Sequence, residues 1–341
     1  MQTAKINVEA QDPLEAIRRL LEKILAQEAI AAVLAPKRPP AGAMVMPTLI
    51  SDPDQLDGVD PLAPAFALNA AKVVSRLTRK PMGGRLAVML RACEIRAFIE
   101  LVKLNQGSAD ELVILGMDCL GALGNKDYLD MAGDDPSAYT RRFYESILEG
   151  QGAAIEDLPL TSACRACEQP LADGADLTIL LYGVDIRQAL IVQARSEKGR
   201  TLLDGLGLEP AEPPAGRTEV VQALIQARTG QRDRMFQDTA AAVDSIEKLS
   251  RYLAACVNCY NCRVACPVCY CRECVFVTDV FDHEPMQYLG WAQRRGAIKM
   301  PTDTLFYHLT RLAHMSTACV GCGQCSNACP NDTPGASPAS M

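Results

Sequence analysis

The feature that most constrains this chain is a four-cysteine pattern that occurs twice in its C-terminal third. Each copy reads CxxCxxCxxxCP, and every cysteine of the second copy lies 63 residues after its counterpart in the first. The first copy consists of Cys256, Cys259, Cys262 and Cys266. The second copy consists of Cys319, Cys322, Cys325 and Cys329. The repeat predicts that this region folds around two equivalent sets of thiols.

This spacing is the bacterial ferredoxin pattern for cubane 4Fe-4S clusters, in which three thiolates wrap a tight turn and the fourth reaches the other cluster. The first cluster is therefore assigned to Cys256, Cys259, Cys262 and Cys329. The second cluster is assigned to Cys319, Cys322, Cys325 and Cys266. Zinc is the alternative metal, because thiolates also suit tetrahedral zinc. Two complete copies that both close with Cys-Pro favour iron and sulfide.

The connection between the copies, residues 267–318, is much longer than that of a minimal ferredoxin. It contains a predicted helix over Thr302–Met315, whose apolar side chains share one face: Leu305, Leu309, Leu312 and Met315. This arrangement resembles the α-helical ferredoxin-type domains found in subunits of respiratory and heterodisulfide reductase complexes.

Three more cysteines directly follow the first copy: Cys269, Cys271 and Cys274. One interpretation gives them an extra metal centre with a ligand from elsewhere, for which His283, His308 and His314 are candidates. The other interpretation makes them reduced thiols that shield the first cluster. The sequence leaves both interpretations open.

Four further cysteines are dispersed in the N-terminal half, at the ends of predicted strands or in loops: Cys93, Cys119, Cys164 and Cys167. Together they form a complete ligand set for a third 4Fe-4S cluster. The alternative is that they are buried free cysteines, which are common in protein interiors. Three nearby arginines would offset the negative charge of such a cluster: Arg91, Arg96 and Arg165.

Hydrophobic patterns predict a mixed α/β (α+β) N-terminal domain followed by a mostly helical two-cluster 4Fe-4S ferredoxin domain. Strands are predicted over Arg85–Leu90 and Leu112–Met117, with a helix over Glu94–Leu104 between them. Two more strands are predicted, over Leu177–Tyr182 and Ala189–Val192.

The predicted domain order has five parts. Residues 1–45 form an N-terminal helical extension with an amphipathic helix over Pro13–Leu34, and residues 46–206 form the mixed α/β domain. Residues 207–218, which are rich in Pro and Gly, form a linker. Residues 219–335 form the ferredoxin-type domain, and residues 336–341 form a frayed tail.

Composition excludes several classes of function. The net charge of −7 leaves no basic surface for nucleic acid or an anionic membrane. No run of 18 apolar residues is present, which predicts no membrane insertion. The N-terminus lacks the layout of a signal peptide, so a reducing, cytoplasmic compartment is expected, where clustered thiols are metal ligands. The sequence shows no dinucleotide-binding GxGxxG motif, no Walker A motif and no molybdopterin or nickel site.

The ordered stretches RACEIRAFIELVKL, ILGMDCLG and CRACE resemble the beta subunit family of coenzyme F-420-dependent hydrogenases and dehydrogenases, which includes formate dehydrogenase beta subunits. The stretches CPVCYCRECVF and HLTRLAHMSTACVGCGQCSNACP resemble the iron–sulfur part of its formate-dehydrogenase-type members. The resemblance covers about residues 45–335. It implies an iron–sulfur flavoprotein with a cluster on Cys93, Cys119, Cys164 and Cys167 near an FAD, whose own binding residues the sequence does not reveal.

The family resemblance also implies partners: a catalytic dehydrogenase, hydrogenase or heterodisulfide-reductase-type subunit, and a soluble carrier such as a deazaflavin, ferredoxin or nicotinamide. The leading hypothesis is an electron-transfer subunit of an anaerobic oxidoreductase, with substrate activation in the partner. A flavin-free electron wire and a zinc-stabilised interaction module are the alternatives.

Overall fold

The computed structural model describes residues 2–40, 42–149, 159–281, 284–295 and 303–333. The chain divides into two compact units. The first comprises Met1–Met235 together with Val320–Gly323, and the second comprises Phe236–Cys319 together with Gln324–Met341.

In its described part, the first unit is built on one eight-stranded sheet. Its strands are β1 (Thr3–Asn7), β2 (Ile30–Lys37), β3 (Met46–Ile50), β4 (Arg85–Leu90), β5 (Leu112–Met117), β6 (Leu177–Leu180), β7 (Ala189–Ala194) and β8 (Glu209–Pro210). Its helices are α1 (Pro13–Leu25), α2 (Ala71–Leu77), α3 (Ala92–Lys103), α4 (Asn125–Ala132), α5 (Pro136–Glu149), α6 (Ser162–Arg165), α7 (Glu197–Gly205) and the first part of α8 (Arg217–Ala242).

The strand order is β3-β2-β4-β5-β6-β7-β1-β8. The four strands β2, β4, β5 and β6 are parallel, and the flanking pairs are antiparallel. All six residues of β5 are buried, as expected for a parallel strand with both faces covered. The carboxyl ends of the parallel strands therefore meet at one edge of the sheet, which is where such folds place their ligands.

The strands predicted over Arg85–Leu90 and Leu112–Met117 have the predicted bounds. Gly116 shows how tightly β5 is covered, because a Cβ atom there would lie 2.4 Å from the Cβ of Ala172. The helix between the two strands runs over Ala92–Lys103 and buries Ile95 and Phe98. A mixed α/β architecture is thus confirmed.

The prediction of a separate helical extension over residues 1–45 is wrong. Helix α1 is amphipathic as expected, but it ends at Leu25, and β1 and β2 on either side of it belong to the main sheet. The segment Ala31–Ala35 continues a helix-compatible apolar pattern. Pairing with β4 overrides that local preference, because strand formation depends on packing against neighbouring strands.

The predicted linker over residues 207–218 is also wrong. Two of its residues form β8, which pairs with β1, and α8 already begins at Arg217. The boundary between the units falls within α8, after Met235. The reason is that the first half of α8 buries Val221, Leu224 and Arg228 in the first unit.

The second unit is helical in its described part. Besides the end of α8, its helices are α9 (Ile246–Tyr252), α10 (Asn261–Ala265), α11 (Pro285–Arg295), α12 (Asp303–Met315) and α13 (Gln324–Asn327). A small core joins Cys262 and Cys325 to Phe276 and Tyr307. The expected frayed tail over residues 336–341 lies outside the described residues. Among the helices described, none has the length and apolar character needed to cross a membrane.

Helix α12 is present as predicted, but its apolar face is not the buried one. Leu309 is 44% exposed, whereas Tyr307, His308, Arg311 and Met315 are buried. Of the four residues of the predicted apolar face, only Met315 is buried. The helix turns polar side chains inward because cysteine sulfurs lie on that side.

Candidate metal centres and cofactor cleft

Two neighbouring strand ends position the first pair of dispersed cysteines. Cys93 lies in the first turn of α3, just after β4, and Cys119 lies two residues after β5. Because β4 and β5 are adjacent and parallel, both cysteines occur at the same edge of the sheet. The crossover through α3 therefore places Cys93 and Cys119, which are 26 residues apart in the sequence, at neighbouring strand ends.

Backbone hydrogen bonds bring the CxxC pair to the same place. The Thr161 N–H donates to the carbonyl of Ala122 (2.9 Å), and the Cys119 N–H donates to the carbonyl of Pro170 (2.7 Å). The short helix α6 between these anchors carries Cys164, and Cys167 follows it. The segment 161–170 is therefore fixed against the loop after β5.

The four thiols of this set lie close enough to affect one another. Burial raises the pKa of Cys93 well above its usual value, with further contributions from Cys322, Cys119 and Cys167. Burial also raises the pKa of Cys119, and Cys164 and Cys167 add to the effect. Cys93, Cys119, Cys164 and Cys167 therefore lie at the same end of the sheet, and their binding of a cluster stays a prediction.

Of the three arginines predicted to offset cluster charge, Arg91 lies near enough to Cys119 for its charge to oppose the burial-driven rise in the pKa of that thiol. Arg91 donates to the carbonyls of Ala63 and Ala65 (both 2.8 Å) and to that of Gly121 (3.3 Å). Arg96 donates to the carbonyls of Gln169 and Val320, and Arg165 is exposed. Arg91 and Arg96 therefore hold the loops around the thiols in place.

Sequence reasoning missed Arg228. This arginine on α8 is only 3% exposed, and Cys119, Cys167 and Cys164 all act on its charge. Its Nε and Nη2 atoms have no hydrogen-bond partner among the described residues. No sequence signal could have revealed it, because Arg228 is an isolated charge more than sixty residues from the nearest of these cysteines.

A cleft opens at the same edge of the sheet and includes Cys119. Its enclosed volume is about 50 Å³, and its walls come from the ends of β2, β4 and β5 and from the loop 61–70. Most of its lining is apolar. The polar exceptions include Arg91, whose guanidinium lies 5.1 Å from the centre of the Phe66 ring, and Glu94, whose pKa is raised by burial. A mostly apolar lining with a few polar groups is typical of a site for an organic cofactor.

In the second unit, the predicted ligands of the first ferredoxin-type cluster line one cavity: Cys256, Cys259, Cys262 and Cys329. The backbone between the first three turns through left-handed conformations at Asn258 (φ 51°) and Tyr260 (φ 59°). The turn aims the Asn258 N–H at the sulfur of Cys256 (3.5 Å), and the Thr333 N–H points at the sulfur of Cys329 (3.3 Å). Backbone donors aimed at sulfur are a feature of iron–sulfur sites.

Helix α12 supplies two side chains to this cavity. The Tyr307 hydroxyl lies 3.1 Å from the sulfur of Cys262, and His308 Nε2 lies 3.3 Å from the sulfur of Cys256. Burial, reinforced by the charge of Arg311, lowers the pKa of His308 to about 4. His308 is therefore neutral at pH 7 and can donate one N–H to a thiolate.

The second ferredoxin-type set is only partly brought together within one unit. Cys266 and Cys325 are both buried. Burial, and to a lesser extent the charge of Cys325, raises the pKa of Cys266 to about 11. Cys319 belongs to the same unit. Cys322 is grouped with the first unit, where it lies beside Cys93.

The segment 320–323 is held in the first unit by two contacts. Arg96 donates to the carbonyl of Val320 (3.1 Å). Gly323 has a φ of +71°, and a Cβ atom there would lie 2.5 Å from the Cβ of Ala163. Glycine is therefore required at this position for both conformation and space. A predicted ligand of the second cluster thus lies beside a predicted ligand of the third.

The three additional cysteines are spread out. Cys274 packs against the core around Cys262 and Phe276, whereas Cys271 is exposed and Cys269 is half-buried. Across the described ranges, no three His, Cys, Asp or Glu side chains converge on a single metal ion. His314 is exposed, and His283 lies outside the described residues. An extra metal centre on these cysteines stays a prediction.

We expect Tyr307→Phe to shift the midpoint potential of the first ferredoxin-type cluster to a more negative value. The hydroxyl lies 3.1 Å from the Cys262 sulfur and would donate to it when Cys262 is a thiolate ligand, so its loss would leave more negative charge on the cluster ligands. Potentiometric titration followed by paramagnetic resonance measures this shift. The exposed Leu309→Ala on the same helix is the control, and an equal shift in both variants would contradict the prediction.

Comparisons with known proteins agree with this arrangement. A family model described as "4Fe-4S binding domain" matches residues 314–334. The F420-dependent formate dehydrogenase subunit beta of Methanocaldococcus jannaschii is 25% identical over 94% of this chain and 86% of its own length. The F420-dependent formate dehydrogenase 1 subunit beta of Methanococcus maripaludis is 26% identical over 91% of this chain and 84% of its own length.

A solved structure of the F420-reducing [NiFe] hydrogenase complex from Methanosarcina barkeri, obtained with xenon derivatization, contains a similar chain. The TM-score is 0.51 at 11% sequence identity, over 72% of this chain and 94% of that one. That likeness shows a shared fold. The resemblance to the formate dehydrogenase beta subunits is thus confirmed along nearly the whole chain, and the match at residues 314–334 confirms the predicted 4Fe-4S character of the C-terminal region.

Proposed function

We propose that this chain, a relative of the F420-dependent formate dehydrogenase beta subunits, carries electrons between a flavin and a catalytic partner subunit through three 4Fe-4S clusters. The observation that carries the proposal is the position of Cys119. This one cysteine belongs to the four-thiol set and also lines the cleft beside it. A cofactor in the cleft would thus lie next to a cluster on the thiols.

The third cluster is proposed on Cys93, Cys119, Cys164 and Cys167. The fit rests on donor chemistry: three segments bring four cysteines to the same end of the sheet, and a buried arginine there has two donor atoms without a hydrogen-bond partner among the described residues. Buried free thiols would need no such charge, and a buried guanidinium without a partner is costly. The eight ferredoxin-motif cysteines are proposed to hold the other two clusters in the pairing that the spacing predicts.

The cleft is proposed to bind the ring system of FAD. Its apolar walls suit a planar aromatic ring, and Arg91 and Glu94 provide the polar contacts that fix an orientation. When bound, a flavin exchanges two electrons with a carrier and passes them on singly to clusters. The residues of this chain exclude water from the ring, hold the cleft open through the Arg91 hydrogen bonds, and keep Cys119 at its edge.

The partners follow from the relatives and from what the chain lacks. Both formate dehydrogenase relatives are named as F420-dependent. We therefore propose a deazaflavin as the carrier for this chain, ahead of ferredoxin or a nicotinamide. A separate catalytic dehydrogenase or hydrogenase-type subunit would activate the substrate. None of the fifteen cysteines, all of which lie in the described ranges, forms a disulfide, which fits a reducing, cytoplasmic compartment.

Anaerobic purification with metal and flavin analysis tests the proposed function. Three clusters require about twelve irons per chain, and two require about eight. We expect twelve irons together with one flavin released on denaturation. Iron without flavin would favour the flavin-free wire, and zinc without iron would favour the interaction module.

We expect Ala67→Trp to reduce the flavin content at least tenfold without changing the iron content. Ala67 is a half-buried residue of the cleft wall, and an indole there would occupy the space of the flavin ring. Absorbance of the denatured supernatant measures the flavin. Ala223→Trp, at an exposed position on α8, is the matched control. Normal flavin content in Ala67→Trp would show that the flavin ring does not bind in the cleft.

A further inference from the structure

The buried guanidinium of Arg228 in the first unit has no salt-bridge partner among the described residues. The Arg228 side chain is 97% buried, since only 3% of its surface is exposed. Two of its donor atoms, Nε and Nη2, have no partner among the described residues. Buried polar groups almost always find a partner, so such an exception points to a missing ion or ligand. The missing partner must be an anion or an acceptor, because a guanidinium only donates.

The packing of α8 aims Arg228 at the dispersed thiols. The helix is fixed at one end by Arg217, whose guanidinium donates to both oxygens of Asp118 (2.5 and 2.8 Å). Further along, Arg232 pairs with Glu168. Asp118 and Glu168 directly neighbour Cys119 and Cys167 in the sequence. Arg228 lies one turn before Arg232 on the same face, and is therefore held between these two anchors.

The immediate surroundings of Arg228 are the predicted cluster ligands. Cys119, Cys167 and Cys164 all interact with its charge. The hydroxyl of Tyr182 is a hydrogen-bond partner of the guanidinium and itself donates to the carbonyl of Cys119 (2.9 Å). Acidic side chains are engaged elsewhere, Asp118 by Arg217 and Glu168 by Arg232. The thiol set is therefore the anionic group left for Arg228.

We infer that Arg228 is a positioning residue of the third cluster, which donates its Nε and Nη2 hydrogens to the cluster or its thiolate sulfurs and raises the cluster's reduction potential. The inference rests on the proposed third cluster. A fixed buried positive charge favours the more negatively charged, reduced state of a cluster. Hydrogen bonds to sulfur act in the same direction. Arg228 would thus make the cluster beside the cleft a better electron acceptor than its four thiolates alone.

The test compares wild-type protein with Arg228→Gln and Arg228→Lys, all purified without oxygen. Iron is counted, and the third cluster is identified as the titration wave that disappears in Cys119→Ala. In Arg228→Gln we expect this wave to move to a more negative potential by at least about 59 mV, a tenfold change in the one-electron equilibrium constant. Arg228→Lys keeps the charge but loses the forked donors, so a smaller shift in the same direction is expected.

The control is Arg234→Gln, which removes an exposed arginine from the same helix and should leave the wave in place. Loss of about four irons in Arg228→Gln, with retention in Arg228→Lys, also supports the inference, because assembly then depends on the charge. If Arg228→Gln fails to fold, the Arg228→Lys potential decides. If the folded variants keep twelve irons and the titration wave does not move, the proposed role of Arg228 is wrong, whereas the third cluster itself is still supported. Eight irons in wild-type protein would overturn the third cluster and this inference together.

Discussion

Cys119→Ala is expected to lose about four of about twelve irons, the content of one cubane cluster. The thiol of Cys119 lies at the meeting point of the loop after β5, the segment around α6 and the cleft. Removing one of four thiolates leaves a cubane with an open corner in a buried site. The ferredoxin-type clusters have their own ligands and should persist. Iron analysis and the paramagnetic resonance of the dithionite-reduced protein measure the loss.

Cys271→Ala is the matched control, because Cys271 is exposed and belongs to none of the twelve proposed ligands. We expect it to retain all its iron. A similar loss of iron in Cys271→Ala would instead show that the three additional cysteines ligate metal. Full iron in Cys119→Ala would mean that the four dispersed thiols are free cysteines and that electrons pass through two clusters only.

Asp118→Ala is expected to destabilise the first unit by about 3–5 kcal/mol, the range for breaking a buried ion pair from one side. The Asp118 side chain is fully buried and accepts hydrogen bonds from Arg217 and from the N–H groups of Leu181 (2.8 Å) and Tyr182 (3.1 Å). Alanine would leave two backbone donors without an acceptor and would leave the half-buried guanidinium with only the carbonyl of Tyr182. Urea unfolding followed by circular dichroism measures the change.

The contrasting variant is Glu209→Ala, which removes an exposed ion pair with Lys5 at the other edge of the sheet. Exposed pairs contribute about 0–1 kcal/mol, so its midpoint should barely move. Equal unfolding midpoints for Asp118→Ala and Glu209→Ala would show that Arg217 finds another partner. In that case α8 would not be fixed by Asp118, and the position of Arg228 would have to be explained by Glu168 and Arg232 alone.

Local patterns in the sequence predict the parts of this protein that depend on short-range spacing. The strands β4 and β5 follow from continuous apolar runs, and the thiol sets follow from the intervals between cysteines. The same kind of reasoning failed for β2, where Ala31–Ala35 reads as the continuation of a helix. In α12 the apolar stripe does not mark the buried face: Leu309 is exposed, whereas Tyr307 and His308 are buried against cysteine sulfurs.

The sequence alone predicts which residues of the ferredoxin-type region would hold metal, because ligand spacing there is a property of a short piece of chain. Tertiary structure alone decided which of the cysteines share a site with Arg228 and the cleft. That grouping depends on the order of strands in the sheet and on helix α8, which returns 99 residues later to pair Arg217 with Asp118. Long-range packing of this kind leaves no periodic trace in the sequence, because each contact is made by a single residue.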